Sequence, residues 1–457
     1  MSKKFRLLTI VIALALIAAL VPQTHNTVVA QDKVTVTWFV GLGTGGNDEQ
    51  VAAQEAVVAE FNETVGAEKG IELVLVLVQN DVAYDTLSTL IATEDQAPDI
   101  VGPVGIRGSN SFDGNWVDME PLAEAAGYDL GQFPPSLVDF YRVQGQGLIG
   151  LPFGVFPSMM FYNRDLFDAA GLPYPPQSYG EPYADGEEWS WDKVSELALL
   201  LTLDANGNDA TSPDFDPDNI VQFGYSNQWS DARRMATFFG AADFIADDGV
   251  TAEMPENWAE FYRWLYDGIW NQHFIPNDAY VNSDLLAAGN PFSSGNVAMS
   301  QTHLWYTCCT AGVNFDLAVQ PSYNGVVTAP LHADTFRILK QSQNPEAAFE
   351  VLTYLIGDAS LDLLAAYGGM PARPEDRDAF LAGLNETFTQ GVNWQVAIDS
   401  LNFPDNPSHE SNMPNFQKAD ERIGAFQTLI QSTPDLDIDA EMATLISDLQ
   451  AIYDEVQ

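Results

Sequence analysis

Strand-like and helix-like stretches alternate early in the chain, and this alternation restricts the fold more than any other feature. Residues 33–41, "KVTVTWFVG", alternate apolar and polar side chains and lead into a glycine-rich loop, which predicts a strand. Residues 71–79, "IELVLVLVQ", are almost continuously apolar, as in a parallel strand covered on both faces. Residues 48–66 place apolar side chains at near-helical spacing, and a helix at 81–94 and the strand "PDIVGPV" follow. This order predicts an α/β fold with a parallel sheet and right-handed crossovers.

Length and composition indicate more than one globular unit. The 457 residues are too many for one hydrophobic core, and a hydrophobic content of 46% excludes a disordered protein. A tryptophan-rich stretch at 189–270 predicts a helical second part, in which Ser190 would be the N-cap of a helix. Strand-like residues return at 325–339. We therefore predict two α/β lobes between which the chain crosses, rather than two independent domains.

The charge balance excludes two classes of partner. The chain has 18 Lys and Arg against 64 Asp and Glu, a net charge of −46. Nucleic acids and anionic lipid surfaces are bound through basic patches that release counterions, and this sequence offers none. The acidic surplus is typical of a soluble protein outside the cell, and it leaves open a cationic ligand.

The N-terminus predicts secretion. A basic head, "MSKKFR", precedes the apolar stretch "LLTIVIALALIAAL", and the small residues "VVA" stand just before Gln31. This pattern predicts a signal peptide over residues 1–30, and no later apolar run is long enough for a membrane span. We expect an extracellular or periplasmic protein that does not insert into the membrane after signal removal. The predicted cleavage point lacks the cysteine of a lipid anchor.

Seven stretches, in this order, resemble the extracellular solute-binding proteins of ABC importers, in the sugar-binding group (family 1) that includes maltose-binding proteins. The stretches are "APDIV", "GNWVDMEPLAEAAG", "GLIGLPFGVFPSMMFYNRDLFDAAGLP", "WSWDKVSELALLLT", "DANGNDATSPDFDPDNIVQFGY", "FSSGNVAM" and "KQSQNPEAAFEVLTYL". Each is weak alone. Their order behind a predicted signal peptide, over nearly the whole chain, is what carries the resemblance.

The resemblance implies a two-lobed periplasmic-binding-protein-like fold of type II, with the ligand cleft between the lobes. Lobe 1 would comprise residues 31–155 and 328–385, and the helix-rich lobe 2 would comprise residues 156–327 and 386–457. Such lobes close on a ligand by hinge motion, which signals occupancy to a partner. The implied partners are a carbohydrate and the transmembrane permease subunits of an ABC importer, and the implied state is a monomer without a cofactor.

The implied function is capture and delivery of a carbohydrate, most simply an oligosaccharide, without catalysis. One alternative keeps the fold and replaces the sugar with a polyamine or another cation. A second alternative is a secreted glycan-degrading enzyme, which would need two carboxylates across the scissile bond. With 64 acidic residues, chance carboxylate pairs are uninformative, and the sequence contains no nucleophile elbow and no metal motif.

Sugars are recognised by aromatic rings that stack on their C–H faces and by polar groups that replace the water around their hydroxyls. The resemblance places Trp305, which follows "GNVAMSQTHL", in the cleft, with Tyr306 as a weaker candidate because neighbours in an extended segment face opposite ways. It also implies contacts from Asn227 and Trp229 in "FGYSNQWSDARR". The alternative for each tryptophan is a place in the core of its own lobe.

Three further candidates follow from their positions after predicted strands, where open α/β folds bind ligands. Trp38 and Gly41 lie at the end of the first strand, and a glycine there lets backbone N–H groups approach a ligand. Arg107 lies in the loop after "PDIVGPVGI" and could donate to hydroxyl groups. Trp38 could equally belong to the sheet core, and most arginines form surface ion pairs.

Cys308 and Cys309 are adjacent and are the only cysteines of the chain. The predicted signal peptide sends them to an oxidising compartment, so a disulfide can form. Adjacent Cα atoms lie about 3.8 Å apart, below the usual disulfide separation, so a bond would close a strained ring and stabilise little through loop entropy. We expect this ring to be a flat, polarizable part of the sugar platform. Buried reduced thiols and an intermolecular bridge are the alternatives.

No metal site is predicted from the sequence. The stretch "DANGND" at 204–209 resembles a calcium loop, but its glycine is in the fourth position and the twelfth position is Phe215. An EF-hand requires glycine at the sixth position and glutamate at the twelfth, so a turn is the better interpretation. His273, His303, His332 and His409 are isolated in the sequence and have no zinc-ligand spacing.

Overall fold

The computed structural model describes residues 33–456 except 44, 144 and 311, and the predicted signal peptide lies outside these residues. Within them, no helix is both long enough and apolar enough to cross a membrane. The strands in this part of the chain are β1 (Val34–Val40), β2 (Ile71–Leu77), β3 (Ile100–Val104), β4 (Arg142–Val143), β5 (Gly147–Leu148), β6 (Leu151–Asn163), β7 (Leu203–Asp204), β8 (Ile220–Asn227), β9 (Val297–His303), β10 (Phe315–Ala318), β11 (Ser322–Tyr323), β12 (Val326–Val327), β13 (Leu331–Ile338) and β14 (Met370–Pro371).

The α-helices are α1 (Asp48–Glu63), α2 (Val65–Lys69), α3 (Asn80–Ala92), α4 (Ile106–Asn110), α5 (Glu120–Ala126), α6 (Pro135–Asp139), α7 (Arg164–Ala170), α8 (Trp191–Leu200), α9 (Ala232–Thr237), α10 (Glu256–Trp270), α11 (Asp278–Val281), α12 (Pro345–Leu355), α13 (Ser360–Tyr367), α14 (Arg377–Thr387), α15 (Gln395–Ser400), α16 (Phe416–Ser432) and α17 (Ile438–Asp454). Short 3₁₀ helices cover Glu94–Gln96, Leu130–Gln132, Asp284–Leu286, Phe292–Ser294, Leu304–Cys309 and Pro374–Asp376. The prediction of Ser190 as an N-cap is confirmed, because its side chain accepts a hydrogen bond from the backbone N–H of Lys193 at 3.3 Å.

The first strands form the predicted parallel sheet. β1 pairs with β2 in parallel over its whole length, and it pairs with β3 in parallel on its other side, where Trp38 lies opposite Ile100. β13 then adds to β3 in the antiparallel direction. The carboxyl ends of β1 and β3 therefore lie side by side, and the loops that follow them meet at one edge of the sheet.

β6 connects the two halves of the sheet system. Its first half pairs with β13, from Leu151 opposite Phe336 to Pro157 opposite Leu331. Its second half pairs with β9, beginning with Ser158 opposite His303, and with β10. All of its residues are buried, which matches the uninterrupted apolar sequence "LPFGVFPSMMFYN". The change of partner lies next to the predicted lobe boundary at 155/156, and the lobe limits themselves stay predictions.

The second half of the fold has an aromatic core. Trp191 at the start of α8 packs against Tyr225 of β8, with ring centroids 5.7 Å apart, and against Trp264 of α10 at 5.3 Å. The indole N–H of Trp191 donates to the carbonyl of Phe238 at 3.1 Å, so its polar atom is satisfied inside the core. Tryptophans such as Trp191 and Trp264 therefore belong to the core. The composition alone cannot distinguish such core tryptophans from those that contact a ligand. This packing fixes β8 and β9 and the segments that follow them.

Candidate functional site

A cavity of about 910 Å³ opens where the loops after β1 and β3 face the segments after β8 and β9. Gly41 and Arg107 line it from one side, and Trp229 and Trp305 line it from the other. The floor includes Phe156 of β6, at the strand that joins the two halves. Since the walls come from both halves of the fold, the cavity has the position expected of a cleft between lobes.

Trp305 is held in a fixed orientation at the start of the 3₁₀ helix that follows β9. Its ring stacks on the ring of His303, with centroids 4.4 Å apart and planes 8° from parallel. Phe156 contacts it at 5.3 Å, and the guanidinium of Arg234 lies 5.7 Å from its centroid, within cation–π range. The ring is half-buried and lines the cavity. A rigid indole of this kind provides a stacking surface at little entropic cost.

Trp229 is an exposed ring in a strained backbone position. Its side chain is 48% exposed, and its φ of 49° lies in the left-handed region that a bulky side chain rarely adopts. The guanidinium of Arg234 donates to the backbone oxygens of Gln228 and Trp229, at 3.1 and 2.9 Å, and so holds this turn. The Trp229 ring stands edge-to-face on Tyr306, with centroids 5.0 Å apart. The structure thus fixes the large apolar ring of Trp229 in a position where it is exposed to solvent in the cavity.

Cys308 and Cys309 form a disulfide with each other, and both line the same cavity. Their Cα atoms are 3.8 Å apart, and Cys308 is exposed while Cys309 is half-buried. The hydroxyl of Ser293 donates to the carbonyl of Cys309 and is hydrogen-bonded to the hydroxyl of Tyr306 at 2.6 Å. The predicted disulfide is therefore confirmed, and its ring lies beside Trp305 on one surface.

Arg107 reaches across the cavity entrance to two acidic side chains. Its Nη2 donates to Asp420 Oδ2 of α16 at 2.6 Å, and its Nη1 lies 4.0 Å from Asp231 Oδ2. Burial opposes the charge of Arg107, but the Coulombic effect of Asp231 and Asp420 outweighs it and raises the pKa of the guanidinium. Arg107 stays charged and is already paired, so it links α4, the short helix after β3, to α16 on the opposite wall.

Gly41 lines the cavity, but close packing rather than ligand contact explains why a glycine is needed. Its φ is 148°, and a Cβ atom built there would lie 2.2 Å from the carbonyl oxygen of Val78. The backbone N–H of Val78 also donates to the carbonyl of Val40 at 2.9 Å, so the two backbone segments cannot move apart without losing this hydrogen bond. Only glycine fits this approach.

Trp38, Asn227 and Tyr306 are not among the residues that line the cavity. Trp38 is fully buried, and its indole N–H donates to the carbonyl of Gly102 at 2.6 Å, so it belongs to the sheet core. Tyr306 is fully buried beneath Trp229 and supports that ring instead of offering its own. Asn227 lies on β8, where its Oδ1 accepts a hydrogen bond from the hydroxyl of Tyr225 at 2.8 Å. Trp38 and Tyr306 have no surface to offer a ligand, which corrects their assignment as contacts.

The sequence interpretation missed a polar group on the cavity floor. His332 and Asp334 line the cavity from alternate positions of β13, and Glu410 lines it from the loop before α16. Burial raises the pKa of Glu410, but His332 and His409 outweigh it and lower that pKa to about 2. Burial and the nearby Glu410 raise the pKa of Asp334 to about 7. The alternation of β13 predicts that His332 and Asp334 lie on one face of the strand. It does not predict that this face lies against the cavity.

We expect the cysteine pair to resist alkylation until it is reduced. Denatured, unreduced protein treated with iodoacetamide should gain no carbamidomethyl group by intact mass, and reduced protein should gain two, because both thiols are in one bond. Two groups added without reductant would contradict the bond.

The double variant Cys308→Ser/Cys309→Ser should keep nearly the same free energy of unfolding, since a ring between neighbours constrains almost none of the unfolded chain. A large stability loss in that variant would contradict this account.

The sequence profile of the family described as "bacterial extracellular solute-binding protein" matches residues 46–361. Among curated proteins, the sn-glycerol-3-phosphate-binding periplasmic protein of Rhizobium meliloti is 26% identical over 162 residues, which is 34% of this chain and 36% of that protein. The protein of the same name from Brucella abortus is 28% identical over 156 residues, which is 32% of this chain and 34% of that protein. The chain thus matches about a third of the length of these curated relatives.

Solved structures match over nearly the whole described chain. An ABC substrate-binding protein of Listeria monocytogenes in complex with cycloalternan has a TM-score of 0.67 at 17% identity and covers 93% of this chain and 99% of its own. The sugar-binding protein MalE of Xanthomonas citri has a TM-score of 0.68 at 16% identity, with 92% and 98% covered. The maltotriose-binding protein of Thermus thermophilus has a TM-score of 0.62 at 17% identity, with 91% and 99% covered. The chain belongs to the bacterial extracellular solute-binding protein family and has the two-lobed α/β fold of these neighbours.

Proposed function

We propose that this protein binds a neutral carbohydrate in the cavity and delivers it unaltered to the permease of an ABC importer. The observation that carries this proposal is the apolar surface formed by Trp305, Trp229 and the Cys308–Cys309 ring in one cavity. Aromatic faces suit the C–H surfaces of pyranose rings, and the surrounding carboxylates can accept hydrogen bonds from hydroxyl groups.

The volume of the cavity supports an oligosaccharide rather than one sugar ring. At about 910 Å³ it is near the upper end of the range for small-molecule sites, which is about 300–1,000 Å³. Among neighbours in fold, two carry cycloalternan or maltotriose and a third carries the single sugar alpha-D-tagatose, so the volume is what favours the longer ligand. The two tryptophans and the disulfide ring together form an apolar surface larger than one sugar ring needs.

The charges around the cavity favour a neutral ligand over a phosphate ester such as the one named for the curated relatives. The acidic lining residues are Glu49, Asp334, Glu410, Asp420 and Glu421. Among the described residues that line the cavity, Arg107 is the arginine, and it already pairs with Asp420. A phosphate would therefore face carboxylates, and the described lining residues include no unpaired lysine or arginine, so its binding costs free energy in a partly buried site.

The remaining features follow from the family and the predicted organisation. The lobes (31–155 with 328–385, and 156–327 with 386–457) would close on the sugar, with β6 as one of the crossing strands. The signal peptide predicted over residues 1–30 would export the protein, which would then act as a monomer on transmembrane permease subunits. The family consists of binding proteins, and this supports capture without catalysis over a glycan-degrading enzyme.

Thermal-shift measurements against a small ligand panel test this proposal. Maltotriose and cycloalternan represent the proposed class, sn-glycerol 3-phosphate represents anions, and spermidine represents cations. A sugar at about 100 times its Kd adds about 2.7 kcal/mol to the free energy of unfolding and should raise the Tm by a few degrees. The shift should be nearly the same at low and high NaCl, since a neutral ligand is insensitive to screening.

The other outcomes each contradict the proposal. A shift with sn-glycerol 3-phosphate alone would assign an anion, and a salt-sensitive shift with spermidine alone would assign a cation. Release of smaller sugars during prolonged incubation with the glycan would assign an enzyme. Quenching of tryptophan fluorescence by the same sugar, with the sugar recovered intact, is the result expected of the binding protein.

A further inference from the structure

His332 meets two side chains distant from it in the sequence, His409 and Glu410, beneath the wall of the cavity. His332 of β13 lies between His409 and Glu410, which follow each other in the loop between α15 and α16. The Nε2 atoms of His332 and His409 are 3.0 Å apart, and Nδ1 of His332 is 3.3 Å from Oε1 of Glu410. One ligand atom from each residue can be chosen so that all three lie within 4.8 Å of one another.

The cluster has a free acceptor and a fixed imidazole. Glu410 is 4% exposed, and among the described residues its Oε2 is buried with no hydrogen-bond partner. Asp405 lies 2.7 Å from Nδ1 of His409, and because a carboxylate can only accept, it fixes the proton on that nitrogen. The lone pair of neutral His409 is then on Nε2, which faces His332. A carboxylate behind a histidine is the arrangement that orients imidazole ligands in metal sites.

The surrounding charges favour a cation at this position. Asp231 acts electrostatically on both Glu410 and His409 and adds negative charge to that of Asp405. Arg107 and Arg234 are the guanidinium groups nearby, and Arg107 is neutralised by its pairing with Asp420. An unpaired buried carboxylate oxygen is costly, and a bound dication would remove that cost.

We propose that His332, His409 and Glu410 form a binding site for one divalent transition-metal ion of the zinc type. Two imidazole nitrogens and one carboxylate oxygen are a ligand set that Zn²⁺, Co²⁺ and Cu²⁺ accept, and three protein ligands leave a coordination position open. Two nitrogens on a tetrahedral zinc ion are about 3.3 Å apart, close to the separation of the two Nε2 atoms. Since His332 and Glu410 line the cavity, the open position would face the ligand cavity. This site is independent of the proposed carbohydrate.

Titration with metal ions alone tests the site. The untagged protein, treated with EDTA and dialysed, should bind one equivalent of Zn²⁺ in a calorimetric titration. Co²⁺ should give the visible absorption bands of a nitrogen- and oxygen-ligated ion. His332→Ala and Glu410→Gln should each weaken Zn²⁺ binding by roughly tenfold to 100-fold or more. His273→Ala is the matched control, because that histidine is away from the cavity, and it should leave binding unchanged.

A spectroscopic measurement on the unaltered protein covers the case in which the variants do not fold. One equivalent of Cu²⁺ should give an electron paramagnetic resonance spectrum with hyperfine splitting from two nitrogens. Weak, unsaturable binding, an oxygen-only spectrum, or equal affinity in the wild type and a folded His332→Ala variant would each overturn the proposal. Loss of sugar binding in the panel above would leave these outcomes unaffected, so the two proposals fail separately.

Discussion

Replacing Trp305 by alanine is expected to weaken sugar binding about 70-fold. The ring lines the cavity beside the disulfide, and His303 and Phe156 hold it in place. Covering about 100 Å² of apolar surface on binding is worth about 2.5 kcal/mol, which corresponds to that change in Kd. Calorimetric titration of the sugar with the largest thermal shift measures the effect. Trp305→Phe, which keeps an aromatic face, should lose roughly tenfold or less.

Trp38→Phe is the matched control for this experiment. It removes a tryptophan that is fully buried and donates to the carbonyl of Gly102, so it should lower the Tm while leaving the Kd within about twofold. The reverse pattern, with sugar affinity lost at Trp38 and retained at Trp305, would show that the cavity described here is not where the ligand binds. A folded Trp305→Ala protein with an unchanged Kd would lead to the same conclusion.

Gly41→Ala is expected to reduce the free energy of unfolding by about 3 kcal/mol. The added Cβ would meet the carbonyl oxygen of Val78 at 2.2 Å, and the φ of 148° is unfavourable for alanine whatever the space. The contact is with backbone, so no side chain can rotate away to relieve it. Urea denaturation followed by tryptophan fluorescence measures the change as a lower midpoint with a similar slope.

Gly46→Ala separates this effect from the general cost of replacing a glycine in the same loop. No heavy atom lies within 4 Å of a Cβ built at Gly46, and its φ is outside the left-handed region. The free energy of unfolding of the Gly46→Ala variant should be unchanged or slightly higher, because alanine reduces the conformational entropy of the unfolded chain. Equal losses in the two variants would mean that the loop tolerates no side chain at all, and that the approach to Val78 is not the cause.

The local sequence pattern predicts the early part of the fold correctly, because its periodicity depends on near neighbours. The alternation around Trp38 and the apolar run of β2 specify two strands, and the helix between them specifies their parallel direction. The order of seven resembling stretches likewise indicates the family, which the profile over residues 46–361 confirms. Adjacency and the predicted export make the Cys308–Cys309 bond one of three interpretations, and the structure contains that bond.

The candidate site is predicted less completely, because it depends on which face of each element meets the cavity. The place of Trp38 at a strand end predicts a ligand contact, but the pleat of β1 turns its side chain into the core. Tyr306 was considered in an extended segment, whereas residues 304–309 form a 3₁₀ helix that buries it under Trp229. The alternation of β13 places His332 and Asp334 on one face, but only tertiary packing brings that face and Glu410, in the loop before α16, to the cavity.

The sharing of β6 between two sets of partners also affects how the protein is made. Leu151–Pro157 pair with residues of β13, and Ser158–Tyr162 pair with residues of β9, so each contact spans well over a hundred residues. Contacts of such long range form slowly, because a long loop must close first. During synthesis the first half of β6 therefore stays without its β13 partner until Ile338 has been added to the chain. Factors that shield nascent chains from aggregation would find an apolar segment exposed here during that interval.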